Sequence, residues 1–186
     1  IGVREYDDIL YVVTNAMPNY WLMREGEEVE LRPQLFDSKD EALTHVAIDK
    51  ISIFPGSNEA NYTIISAIDL NEYETAEMKV ETYLGAGSGI YMSTEAIYMT
   101  APVYMPLAAS TDLAMNSAML VMNNNTELYK FAVDGTNIEM TARTTIEGSV
   151  LNQFSMDEYN GYLRVATTTG NAWGSEGDSN NNLMIY

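Results

Sequence analysis

The feature that most constrains this chain is a long internal repeat. The stretch 152–169, NQFSMDEYNGYLRVATTT, alternates Phe154 and Met156 with Ser155 and Asp157, turns at Asn160-Gly161, and resumes with Tyr162, Leu163 and Val165. Residues 90–101, IYMSTEAIYMTA, have the same shape around a turn at Thr94-Glu95. Upstream of each lies a strand-like segment, Glu77 to Tyr83 and Ile138 to Ile146, followed by Gly85 or Gly148, and before those come Tyr62 to Leu70 and Thr126 to Val133. Corresponding positions are 63, 64 and 65 residues apart. A period this long, holding about four strands, fits a β-propeller blade rather than a helical solenoid. The expectation is an all-β chain, 1–186, forming a single β-propeller segment of about two four-stranded blades plus strands of a third.

Composition agrees. The 13 Tyr, with abundant Thr, Val, Ile, Asn and Gly, are what strands and tight turns require. Asn160-Gly161 tolerates φ > 0 at both positions, so the chain reverses in two residues. It reads either as an ordinary hairpin or as the handover from one blade's outer strand to the innermost strand of the next, and the repeat favours the second. Innermost strands are then expected near 9–14, 97–100 and 163–167. Between the first two lie 88 residues, about 23 more than the repeat, and the excess falls in an inserted connection, 15–60. Inside it, Ser38 to Val46 reads as a short helix, with Ser38 as cap and Asp40-Glu41 near its positive end. Pro102 to Ser117 reads as a connecting loop, and Gly170 to Asn182 as a polar loop before a last strand at Leu183 to Tyr186.

Three runs carry a resemblance: 152–170, NQFSMDEYNGYLRVATTTG; 11–21, YVVTNAMPNYW; and 53–57, IFPGS. They resemble a family of archaeal and bacterial secreted proteins with a C-terminal β-propeller domain. The resemblance implies a propeller fold and an extracellular or cell-surface location, and brings no established activity or catalytic residues with it.

With 27 acidic against 9 basic residues, the formal charge is −18, which opposes binding to nucleic-acid phosphates and to anionic membrane surfaces. The longest uncharged run, Ala96 to Thr111, has 16 residues and two prolines, whereas a membrane-spanning helix needs roughly 20 apolar residues. No leader is visible, so an export signal would have been removed or lie upstream. The chain has no Cys, hence no disulfide framework and no thiolate chemistry. A closed propeller needs about four blades. The chain is therefore expected to belong to a longer propeller or to self-associate, because open sheet edges invite aggregation.

No catalytic set emerges. His45 is the only histidine, which limits a hydrolytic triad to one base and rules out a multi-histidine zinc site within one chain. Ser88 lacks the Gly at position 86 that a nucleophile elbow needs, and Gly85, Gly87 and Gly89 depart from the dinucleotide pattern at Ile90. Asp178, Asn180 and Asn182 alternate as oxygen donors in a possible calcium loop, but Leu183 stands where an EF-hand would want glycine. Asp157 and Glu158, adjacent on a strand, point to opposite faces. Tyr11, Tyr20, Trp21 and Trp173 read as packing residues, or else as sugar- or protein-binding aromatics. Asn61-Tyr62-Thr63 and Asn124-Asn125-Thr126 are formal glycosylation sequons, and the 12 Met read as adaptable core filling.

The sequence thus supports a non-catalytic surface scaffold that binds a protein or surface polysaccharide through 15–60, with no cofactor. The alternative is a calcium-supported carbohydrate-active hydrolase or lyase with a site near the propeller axis.

Overall fold

Alternation at every second residue builds the first sheet. In the computed structural model of the chain, the described residues are 2–26, 28–38, 41–72, 74–75, 77–85, 87, 89–106, 120–170 and 179–186. β1 (Gly2–Tyr6) and β2 (Ile9–Ala16) form a hairpin. Along β2, Ile9, Tyr11 and Val13 are buried while Leu10, Val12 and Thr14 are half-buried, the pattern of a strand with two unlike faces. The chain then leaves the sheet for α1 (Tyr20–Arg24), a β3 (Gln34–Asp37) to β4 (Ala42–His45) ribbon and a 3-10 turn at Ile48–Lys50. It returns as β5 (Ile51–Ile53), β6 (Tyr62–Asp69) and β7 (Lys79–Leu84). The sheet order is β1-β2-β6-β7-β5, antiparallel except for the parallel pair β5–β7.

A second sheet is a plain meander, β8 (Gly89–Met92), β9 (Ala96–Pro106), β10 (Leu120–Asp134) and β11 (Asn137–Ile146). The third holds β12 (Met156–Tyr159), β13 (Tyr162–Thr169) and β14 (Asn180–Ile185). The chain divides into two compact units, residues 1–86 with 134–138, and residues 87–133 with 139–186. In the second unit the second and third sheets pack face to face, Ala96, Tyr98, Leu128 and Ile146 meeting Met156, Leu163 and Val165. In the first, Phe54 is buried and stacks on Tyr83, with centroids 4.8 Å apart.

The repeat has a physical basis at two threonines. Thr63 Oγ1 donates to the Gly85 carbonyl at 2.8 Å, and Thr126 Oγ1 donates to the Gly148 carbonyl at 2.8 Å. Each bond spans 22 residues, and both threonines are buried. It closes the connection after β7 or β11 back onto the start of β6 or onto β10. Both glycines have positive φ, 128° and 90°, and a Cβ on Gly148 would stand 2.7 Å from the Thr168 carbonyl oxygen. The threonines of the two sequons are therefore structural clasps.

Several expectations are corrected. The strands at 9–14, 97–100 and 163–167 do occupy equivalent places, but each is hydrogen-bonded on both sides, β2 by β1 and β6, β9 by β8 and β10, β13 by β12 and β14. An innermost strand has a neighbour on one side only, so these are second strands. For the same reason Asn160-Gly161, with φ of 51° and 79°, is an ordinary hairpin turn within the third sheet, closed by the pair Tyr159–Tyr162. The passage to the third sheet runs instead through Gly148 and the 3-10 turn Gln153–Ser155, where Asn152 Oδ1 accepts from the Phe154 N–H at 2.9 Å.

No helix spans 38–46. Leu35, Phe36, Leu43 and Thr44 pair as a ribbon around a turn in which Glu41 takes a φ of 50°. Too few apolar residues at helical spacing oppose the strand alternation there. β9 continues through Pro106 rather than ending at Pro102. A register shift between Asn123 and Thr126 places Pro102 opposite Thr126, and such irregularities are where a sheet accepts proline. The remainder of the expected loop, 107–117, lies outside the described residues.

Removing the clasp hydroxyl while keeping the branched shape, Thr126→Val, is expected to lower stability by about 1–2 kcal/mol, because it strips a buried carbonyl of its donor. Gly148→Ala combines left-handed strain with a backbone collision and should cost more, about 2–4 kcal/mol. Denaturant unfolding of both variants checks the order.

Candidate functional site

The inserted connection is bounded by paired strands, since Ala16 at the end of β2 faces Tyr62 at the start of β6. Its second half is sewn into the first sheet. β5 runs beside β7, and the Phe54 N–H donates to the Leu84 carbonyl at 3.0 Å. Its first half stands off the sheet. Tyr20 in α1 donates its hydroxyl to the Ala60 carbonyl, and Trp21 Nε1 donates to Glu25 Oε1 at 3.2 Å. The β3–β4 ribbon is held at its base by the Val46 N–H, which donates to the Pro33 carbonyl at 3.0 Å.

A cleft of about 270 Å³ opens at this base, between Met17 and Pro18, Glu30 to Gln34, His45 and Tyr62. Arg32 grips Glu30 through Nε at 2.9 Å and Nη2 at 2.6 Å, one bond to each carboxylate oxygen, while its backbone N–H donates to Oε1 at 3.0 Å. These bonds, reinforced by the charges of Arg32 and His45, hold the Glu30 carboxyl down at about 2. His45 is exposed on β4, its Nε2 lying 3.0 Å from Gln34 Nε2 on the facing strand. Phe36 and Leu43, the next pair on the same ribbon face, are both solvent-exposed. Met17 and Trp21 are also exposed, at 76% and 64%. All four are large apolar side chains facing water within the inserted connection.

The other sequence candidates are scattered. Tyr11 is a core residue whose hydroxyl donates to the Gly135 carbonyl at 2.6 Å, and burial pushes its acidity down, raising its pKa. Tyr20 is half-buried, and Trp173 lies outside the described residues. Gly85 abuts Phe54 and Ser57, whereas Gly87 and Gly89 leave room for the side chains of Met99 and Thr100. None of these glycines forms the opening turn of a helix. Asp157 pairs with Arg164, while Glu158, on the opposite face, donates its backbone N–H to the Tyr91 hydroxyl at 2.9 Å. Asp178 lies outside the described residues, and Asn180 and Asn182 belong to β14, where Asn182 Nδ2 donates to Thr169 Oγ1 at 3.3 Å. Among the described residues no group of three metal-ligating side chains is present, and no helix is long and apolar enough to cross a membrane.

Sequence reasoning singled out 15–60 but missed the ribbon and the Glu30–Arg32 pair. The alternation of QLFD and ALTH about a polar turn was the available signal. In the second unit, a further cleft of about 300 Å³ is lined by Tyr98, Leu128, Lys130, Leu163 and Tyr186, with Lys130 Nζ 5.4 Å from the centre of the Tyr98 ring. Burial and the nearby Glu158 raise the pKa of Tyr98.

Because the folded pKa of Glu30 lies below its ordinary value, whatever stability this pair contributes is present above the ordinary glutamate range and is lost as pH falls toward about 2. The pair is exposed, so that contribution is small. Carboxyl NMR should place the Glu30 midpoint near 2, and Arg32→Ala should return it to the ordinary range.

The comparisons with known proteins bear on the fold. A family model described as a Beta propeller domain matches residues 1–186. An uncharacterised protein of Archaeoglobus fulgidus is 24% identical over 232 residues, an alignment covering 90% of this chain and 36% of that protein. An uncharacterised protein of Methanocaldococcus jannaschii is 55% identical over 40 residues, 22% of this chain and 6% of its own length. The chain thus spans about a third or less of these relatives. With three sheets that are antiparallel apart from the pair β5–β7, and the family match along its whole length, this chain belongs to the Beta propeller domain family.

Proposed function

We propose that the chain is a non-catalytic binding module exposed outside the cell or at its surface, and that the first half of the insertion is its recognition element. The observation that carries this reading is that Met17, Trp21, Phe36 and Leu43 are all water-exposed on a segment outside the three larger sheets. An isolated two-stranded ribbon gains little stability from its own contacts. A partner, either a protein or a surface polymer, gives its apolar face something to cover. The formal charge of −18 favours solubility and disfavours polyanionic partners. The resemblance of the sequence to exported proteins supports the location.

A second surface supports association with another blade. β9 begins at Ala96 and turns Ala96 and Tyr98 onto the third sheet, whereas β13 begins at Tyr162 and leaves Tyr162 exposed on the face it shares with Tyr159, Leu183 and Ile185. At the repeat's offset of 65, Tyr162 and Arg164 correspond to Ile97 and Met99, which are buried. A further sheet of blade type covers the face of Tyr162, from a longer form of the chain or from a second copy.

The triple variant Trp21→Ser, Phe36→Ser, Leu43→Ser changes only solvent-exposed side chains and leaves the buried core residues in place. In affinity capture from cell-surface extract, partners identified by mass spectrometry should be lost with the variant, and identical capture by both proteins refutes the recognition role. Light scattering of the isolated chain should show a discrete oligomer that Tyr162→Ser with Leu183→Ser returns to monomer.

A further inference from the structure

We infer that the cleft at the base of the ribbon is a subsite for a single neutral hexose residue of a surface glycan, a reading that rests on the recognition role proposed above and gives it a ligand class. Size comes first. At about 270 Å³ the cleft falls just below the usual range for small-ligand sites, which restricts the occupant to a group the size of one sugar ring. Its lining supplies four planar hydrogen-bonding side chains, Glu30, Arg32, Gln34 and His45. Planar groups with two adjacent polar atoms match the vicinal hydroxyls of a pyranose, which both donate and accept. Gln34 and His45 are aligned by their mutual contact at 3.0 Å, and each has a further polar atom, Oε1 and Nδ1, to offer a hydroxyl.

Charge decides the class. Glu30 and Arg32 neutralise each other in a two-point grip, so an ionic ligand would have to compete with a bond already made. A uronate or phosphate would also meet the field of a chain with a net charge of −18. A neutral ligand meets neither obstacle. The remaining wall is apolar, from Met17, Pro18 and Pro33, with the ring of Tyr62 beside them, and offers a surface to the C–H face of a sugar. The site is also held in place. Tyr62 and Ala16 are paired in the ladder, and Pro33 is tied to Val46, so little ordering remains to be done on binding.

The test uses the full chain and defined probes. Methyl glycosides of glucose, mannose and galactose, with methyl glucuronide as the charged counterpart, are titrated by calorimetry and by NMR. At least one neutral hexoside should bind saturably, and Gln34→Ala or His45→Ala should weaken it about tenfold, the loss of roughly one hydrogen bond. His45→Gln, which restores a planar polar group, should recover part of the affinity, and Lys130→Ala, in the other unit, should change nothing. Thermal unfolding of the variants should match the parent, since both side chains are exposed. Absence of saturable binding by every neutral hexoside, binding unaltered in both alanine variants, or tighter binding of the glucuronide overturns the inference. If the ribbon triple variant loses its captured partner while hexosides fail to bind, the sugar subsite falls and the recognition role stands. If capture survives in the triple variant, the recognition role falls with it.

Discussion

A strand that ends against a buried turn leaves a carbonyl that water cannot reach, and leaving such a group unpaired costs about 1–3 kcal/mol. Here the problem arises in the first and second sheets, and it is met the same way in both. Thr63 clasps Gly85 and Thr126 clasps Gly148, with equal spacing and equal bond length. The clasp fixes where a blade's connection returns to its own sheet. It also fixes the glycine, since the returning backbone has a positive φ and, at Gly148, lies against the carbonyl of Thr168. From there Ser149 bridges to Thr168 in β13, with backbone bonds in both directions, at 2.9 and 3.0 Å. Within the second unit, one hydroxyl thus orders the end of one sheet and its attachment to the next.

The clasp explains why the insertion does so little damage. Loop-closure cost rises slowly with length, so what matters is whether the flanking ladder survives. It does, through the pair Ala16–Tyr62 and the bond from Thr63 to Gly85 just beyond it. The second half of the insertion even adds to the sheet, as β5 lines the outer side of β7 and Phe54 is buried against Tyr83. Only the first half is left to face water. Surface variety is concentrated where the ladder does not depend on it, which is the usual placement of recognition elements on a rigid frame.

Charge is arranged by the same division. The few cations are placed with purpose, Arg32 against Glu30 at the cleft and Arg164 against Asp157 and over the Tyr159 ring, at 5.0 Å, on the open face of the third sheet. Lys130 lies over Tyr98. Exposed pairs of this kind add little to stability. Their effect is local: they orient side chains and cancel charge at surfaces that would otherwise carry the strong negative field of the chain.

Strand positions were legible because alternation is local. Ile9 to Thr14, Tyr62 to Asp69 and Tyr162 to Thr169 could be read from their own residues, and the repeat made them blades. The insertion was legible by subtraction, as chain in excess of a period. The site was not. Glu30, Arg32, Gln34 and His45 form no motif along the chain, and they meet only because the ribbon folds back and Pro33 ties to Val46. The sequence by itself determined most of the strands of the three sheets, though not the β3–β4 ribbon or the extension of β9 to Pro106, because period-two burial needs only neighbours two residues apart. The tertiary structure alone decided their rank within each sheet, the in-sheet role of Asn160-Gly161 and the use of two sequon threonines as clasps. Each of these is set by a hydrogen-bond partner distant in sequence or across a turn, and the residue's own identity does not specify that partner.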